Sequence, residues 1–98
     1  MITKHYSAKR MAQEIADAIV ENFDGSGNFI CVSDRITKGL AKEFNAIISP
    51  LRTEVIKLAT ELASEKTNAA WNLKTEVEES YPGEYELKTD CWLVYACD

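Results

Sequence analysis

The architecture turns on Leu62-Ala63-Ser64-Glu65-Lys66-Thr67-Asn68-Ala69-Ala70-Trp71-Asn72-Leu73-Lys74-Thr75-Glu76-Val77. Apolar residues lead into it at Leu51, Val55, Leu58 and Leu62 and leave it at Ala69, Leu73 and Val77. With one interruption at Glu65 or Lys66, these positions stay on one face of a helix. The expectation is one long third helix over 50–79. Its weak point is the polar run 64–68, which also suits a connection between two shorter antiparallel helices. Trp71 falls beside the main stripe.

Signals on either side frame this segment. Ser49-Pro50 is a start signal, with Ser as N-cap and Pro at the first helical position, where its missing N–H costs nothing. Tyr81-Pro82-Gly83 places a Pro and a Gly where a helix stop is expected. Upstream, Ser33 can cap a second helix over 34–48 with the stripe Ile36, Leu40, Phe44, Ile47 and Ile48, closed by Pro50. Before it, Phe29-Ile30-Cys31-Val32 reads as a short buried strand. The chain opens with Ser7 as N-cap and Met11, Ala12, Ile15, Ile19 and Phe23 at helical spacing, a helix over 8–23. Asp24-Gly25-Ser26-Gly27-Asn28 ends it.

Downstream the period changes to two. Tyr85, Leu87, Thr89, Cys91, Leu93 and Tyr95 alternate with Glu86, Lys88, Asp90, Trp92, Val94 and Ala96, which is a strand pattern. Residues 91–96 are apolar on both faces, so this strand is central and covered twice, or its second face meets a partner. Either 29–32 pairs with it, or 88–90 turns the tail into a hairpin. The expected class is α+β: three helices (about 8–23, 34–48 and 50–79) on a two- or three-stranded sheet (29–32 and 85–96). With 98 residues, 46% of them hydrophobic, the chain holds one core and one domain.

Several classes of activity find no support. There is no GxxxxGK[ST], GxGxxG or HExxH motif, and the Gly-Ser-Gly at 25–27 is the usual composition of a plain connector. His5 is the single imidazole, and nothing in the sequence ties it to Cys31, Cys91 or Cys97 as base to nucleophile. Those three cysteines lack CxxC spacing, so neither a metal nor another cofactor is expected, and a reducing, cytoplasmic setting fits them. No run approaches the roughly 18 apolar residues that span a bilayer. The expectation is a protein that is not an enzyme and not bound to a membrane.

Charge carries more. Glu76, Glu78, Glu79, Glu84, Glu86 and Asp90 against Lys88 give 76–90 a balance of −5, equal to that of the whole chain. Direct nucleic-acid binding is disfavoured, since phosphate affinity needs clustered Lys and Arg. The candidate bases are few: Lys4, Lys9 and Arg10, and Arg35, Lys38 and Lys42 along the second helix. Acids at a helix C-terminus oppose the macrodipole, which favours a purpose for Glu76, Glu78 and Glu79. The expected function is stoichiometric binding of another protein with a basic surface, through these acids with Trp71 and Trp92 as aromatic anchors. An inhibitor or regulator such as a virus directs against a host enzyme or defence complex has this design. The rival readings are a homo-oligomeric structural or ligand-sequestering protein built on the third helix, and a small enzyme with dispersed carboxylates or a reactive Cys.

Overall fold

The computed structural model describes residues 8–23 and 28–96. The Ser7 cap, His5, Lys4, Cys97 and the loop at 24–27 lie outside the described residues. The element order is α1 (Ala8–Asn22), β1 (Phe29–Ile36), α2 (Lys38–Asn45), α3 (Pro50–Thr67), β2 (Ala69–Tyr81) and β3 (Glu84–Ala96). Three helices and one antiparallel sheet of order β1-β3-β2 make an α+β fold, as the sequence implies. The helices pack on one face of the sheet, with α1 beside α3, α3 over β2 and α1 against β1.

The long third helix is not formed. α3 stops at Thr67 because Asn68 takes the left-handed conformation (φ 55°, ψ 44°) and its N–H bonds to Ser64 O. Asn is one of the few side-chain-bearing residues that visits this region readily, and it is a common helix terminator. Beyond it, Ala69, Trp71, Leu73, Thr75 and Val77 face the helices, while Asn72, Lys74, Glu76 and Glu78 face away. That is the two-residue period of a half-buried strand. The segment 69–79 is therefore strand. Tyr81-Pro82-Gly83-Glu84 does not end a helix but turns β2 into β3. Pro82 and Gly83 (φ 84°) occupy the central positions of a type II turn, which needs positive φ at the second.

The second helix is also shorter than its stripe suggests. β1 continues through Ile36, and the N-cap of α2 is Thr37, whose Oγ1 accepts from Leu40 N at 3.2 Å. Ser33 instead donates to Glu86 Oε1 at 3.1 Å. Only Ala41 and Phe44 of α2 are buried, and Ile47 and Ile48 lie exposed in the connection to α3, outside the core where the stripe would place them. Ser49 caps α3 as expected, accepting from Arg52 N at 3.1 Å, with Pro50 in the first turn.

The core is continuous. Met11, Ala12, Ile15, Ala16 and Ile19 of α1 join Val55, Ala59 and Ala63 of α3, Phe44 of α2, and Ile30, Ile36, Trp71, Leu73, Leu87 and Cys91 of the sheet. Alanines at four-residue spacing on α1 and α3 let backbones approach closely, so dispersion contacts replace side-chain bulk. Lys66 Nζ and Asp17 Oδ1, 3.2 Å apart, tie the two helices at the surface. β3 is the central strand, with β1 and β2 both edges.

Candidate functional site

β3 is covered on one side only. Cross-strand partners share a face, so the register defines what the uncovered side presents. From β1 come Phe29, Cys31, Ser33 and Arg35, opposite Trp92, Asp90, Lys88 and Glu86 of β3. From β2 come Asn72, Lys74, Glu76 and Glu78, opposite the same four β3 residues. One side of an antiparallel sheet therefore carries a charged half and an apolar half.

The apolar half lies where β3 approaches its C-terminal end. Phe29 (50% exposed) and Trp92 (39%) meet with ring centroids 5.5 Å apart and planes tilted by 53°. Val94 and Tyr95 are exposed farther along β3, where the irregularity between Ala70 and Trp71 locally breaks the ladder, and Tyr95 lines a hollow with Ser64 and Asn68 at the end of α3. The strand 29–32 is thus half-exposed rather than buried: Ile30 faces the core and Phe29 and Cys31 face out.

The charged half holds most of the acids singled out in the sequence, in a different setting. Glu76, Glu78 and Glu79 sit on a strand, so the helix-dipole argument for them does not apply. Lys88 Nζ lies 3.5 Å from Glu78 Oε2, whose charge raises the lysine above its ordinary pKa. Arg35 Nη2 lies 3.7 Å from Glu84 Oε1. Glu86 accepts from Ser33, and Lys74 stands opposite Asp90. Glu79 is apart from this group: its Oε2 accepts the Gly83 N–H at 3.0 Å and braces the hairpin turn. Folding brings Arg35 and Lys74 into the acidic segment, so five acids face three bases and the local balance falls to −2. Arg35 lies on β1, and the row of bases expected along the second helix is reduced to Lys38 and Lys42.

The two tryptophans separate. Trp92 is on the open face, whereas Trp71 (4% exposed) is in the core. Its ring meets Phe23 edge to face at 5.2 Å, and its Nε1–H donates to Thr67 Oγ1 at 2.8 Å. Trp71 is not available to a partner.

The two described thiols are both raised above their ordinary pKa. Burial, then the nearby Asp90 charge, pushes the Cys91 thiol up to about 12. Cys31 is raised as well, by desolvation first and then by a hydrogen bond to Asp90. A raised thiol pKa keeps the sulfur protonated and weakly nucleophilic at neutral pH. Sequence reasoning missed one carboxylate pair. Glu14 on α1 and Asp34 on β1 share a cleft of about 170 Å³ with Met11, Ile15, Val32 and Leu87. The hydrogen bond to Asp34, then burial, raises Glu14, while Arg10 at 3.5 Å partly offsets this. The cleft is smaller than the roughly 300 Å³ at which ligand pockets begin.

Among the described residues no cluster of three or more His, Cys, Asp or Glu is placed to hold a metal, and no helix is long and apolar enough to cross a membrane. Phe29, Asn72 and Lys74 are members of the open face that the sequence did not single out, and Arg35 reaches it from β1 rather than from a helix. Compared with models of known protein families, with curated proteins and with solved structures, the chain matches none.

Proposed function

We propose that the protein is a stoichiometric protein-binding module whose contact surface is the open face of the sheet. The observation that carries this reading is the contact of Phe29 with Trp92, both exposed on a face that the helices leave uncovered, with Val94 also exposed farther along β3. Contiguous exposed apolar groups with a polar surround mark interaction sites, and aromatic side chains supply most of their binding energy. The partner that complements this face has an apolar socket flanked by basic groups, which meet Glu76, Glu78, Glu84, Glu86 and Asp90. A phosphate backbone suits it poorly, because the face and the chain are both net acidic.

Binding by occupancy makes no demand on the described thiols, whose raised pKa values disfavour nucleophilic turnover. An inhibitor or regulator of an enzyme or defence complex is the specific form of this reading. A reducing, cytoplasmic setting fits the unpaired Cys31 and Cys91.

The test is capture from extracts of the native host with the intact chain, followed by titration of the identified partner with purified variants. Phe29→Ala with Trp92→Ala weakens binding at least tenfold while circular dichroism stays native, because both side chains are anchors rather than core. Glu78→Lys with Glu86→Lys slows association, and more so at low salt. Unchanged affinity in the aromatic variant would remove the open face from the account.

A further inference from the structure

The outer edge of β2 is an unpaired strand edge, and it lacks the devices that usually protect one. Natural edges are blunted by Pro, by bulges, by short length or by a charge pointing inward. β1, the other edge, has such a charge: Asp34 lies on its core-facing side, between Val32 and Ile36. A two-fold pairing of β1 with itself that keeps the helices on one side sets Asp34 against Ile30, Val32, Ile36 or a second Asp34. β2 has no such charge between 71 and 77, and Glu79 is the first on that side, at the end of the regular stretch. The ladder of β2 with β3 is regular from 71 to 79, with irregularities only at the two ends, and all the β2 charges in 72–78 point to the open face.

We propose that two copies of this chain pair through β2 in antiparallel register about Thr75, forming one six-stranded sheet. Thr75 is the midpoint of the regular stretch 71–79. A two-fold axis there puts Lys74 opposite Glu76 of the second copy, twice, on the open face. On the helix side it puts Leu73 opposite Val77, twice, with Thr75 facing its own counterpart. Asn72 meets Glu78 and Trp71 meets Glu79. Moving the axis by one residue weakens this match: centred on 74 it opposes two lysines, and centred on 76 it opposes two glutamates between two Lys74–Glu78 pairs. Centred on 77 it sets Glu76 against Glu78. Opposite charges and apolar pairs directly across an antiparallel ladder stabilise it, and like charges destabilise it.

The pairing leaves all helices on one side and joins the two open faces into one surface. It does not depend on a partner protein using that surface.

Sedimentation velocity of the full chain over a micromolar concentration series tests the pairing. The wild type is a reversible dimer. Lys74→Glu places four glutamates across the axis and weakens dimerisation about tenfold. Adding Glu76→Lys to Lys74→Glu exchanges the charges and restores the wild-type dissociation constant. The restoration separates dimer register from monomer stability: within one chain, Lys74 faces Asp90 and Glu76 faces Lys88, so the double variant loses more internal pairs than the single one. A monomer throughout the series, a dimer that Lys74→Glu leaves intact, or a double variant no better than the single would overturn the proposal. Phe29 and Trp92 are unaltered in these variants, so failure here is distinct from failure of the open-face reading.

Discussion

Phe44→Ala lowers the stability of the domain by about 3–5 kcal/mol, the range measured when a fully buried aromatic is truncated and the cavity cannot collapse. Phe44 has 0% exposure and is the one large buried side chain of α2. The other buried residue of that eight-residue helix is Ala41, and so short a helix owes its stability to packing rather than propensity. The Arg52 guanidinium lies 5.9 Å from the Phe44 ring centroid, so truncation also removes a cation–π contact between α2 and α3. A domain of this size has roughly 5–15 kcal/mol in total, so the variant loses a large share of it. Urea denaturation should show the midpoint falling without a change of slope. Ile47→Ala and Ile48→Ala are the controls. Both side chains are exposed, Ile47 fully at 103%, and each change should stay within about 0.5 kcal/mol of wild type. A core stripe running from Ile36 to Ile48 would instead make all three positions costly.

Trp71→Ala has a comparable effect, about 3–5 kcal/mol, for related reasons. Its indole fills space beneath the helices, meets Phe23 edge to face, and spends its N–H on Thr67. Thr67 Oγ1 in turn donates to Ala63 O at 2.6 Å, so the pair ties the last turn of α3 to the first residues of β2. Trp92→Ala, on the open face, costs about 1 kcal/mol or less because most of what it loses is a contact with a half-exposed Phe29. Denaturation of the two variants in parallel separates a core tryptophan from a surface anchor. Equal losses would mean that both faces of the sheet are covered.

The contrast between these residues explains which parts of the fold were legible in the sequence. α1, the cap of α3 at Ser49-Pro50 and the alternation of β3 each had a pattern that only one element satisfies. β2 did not. Ala69, Leu73 and Val77 are four residues apart, and a four-residue spacing fits a helix face and a strand face alike. Trp71 was the discriminating residue. It lies off the helical stripe, yet together with Thr75 it completes the alternation Ala69, Trp71, Leu73, Thr75, Val77. Local propensity obscured this, since Ala, Leu, Lys and Glu favour helices and the pairing with β3 that overrides them is a tertiary effect.

The second misreading has the same origin. Ile36, Leu40 and Phe44 are spaced as a stripe, but Ile36 belongs to β1, where it pairs with Tyr85. Ser33 looked like a cap because it precedes the stripe, while Thr37 does the capping. For the binding face, the acids at 76–90 and Trp92 were visible as a charge run and an aromatic. The compensating Arg35 and Lys74 were not, because only the register of β1 and β2 on β3 brings them to the same surface. Phe29 was hidden by its neighbours: a four-residue apolar run reads as buried on both sides, and the uncovered side of the sheet is a property of the whole fold.

Everything proposed for this protein rests on 69–81 being a strand at the sheet edge, and backbone NMR of that segment tests it most directly. Strand-like Cα and Hα shifts from Ala69 to Tyr81, with cross-strand contacts joining Leu73 to Cys91 and Thr75 to Thr89, are the expected result. Helical shifts with contacts between residues three apart, continuing through Val77, would contradict the account and return Glu76 and Glu78 to a helix end.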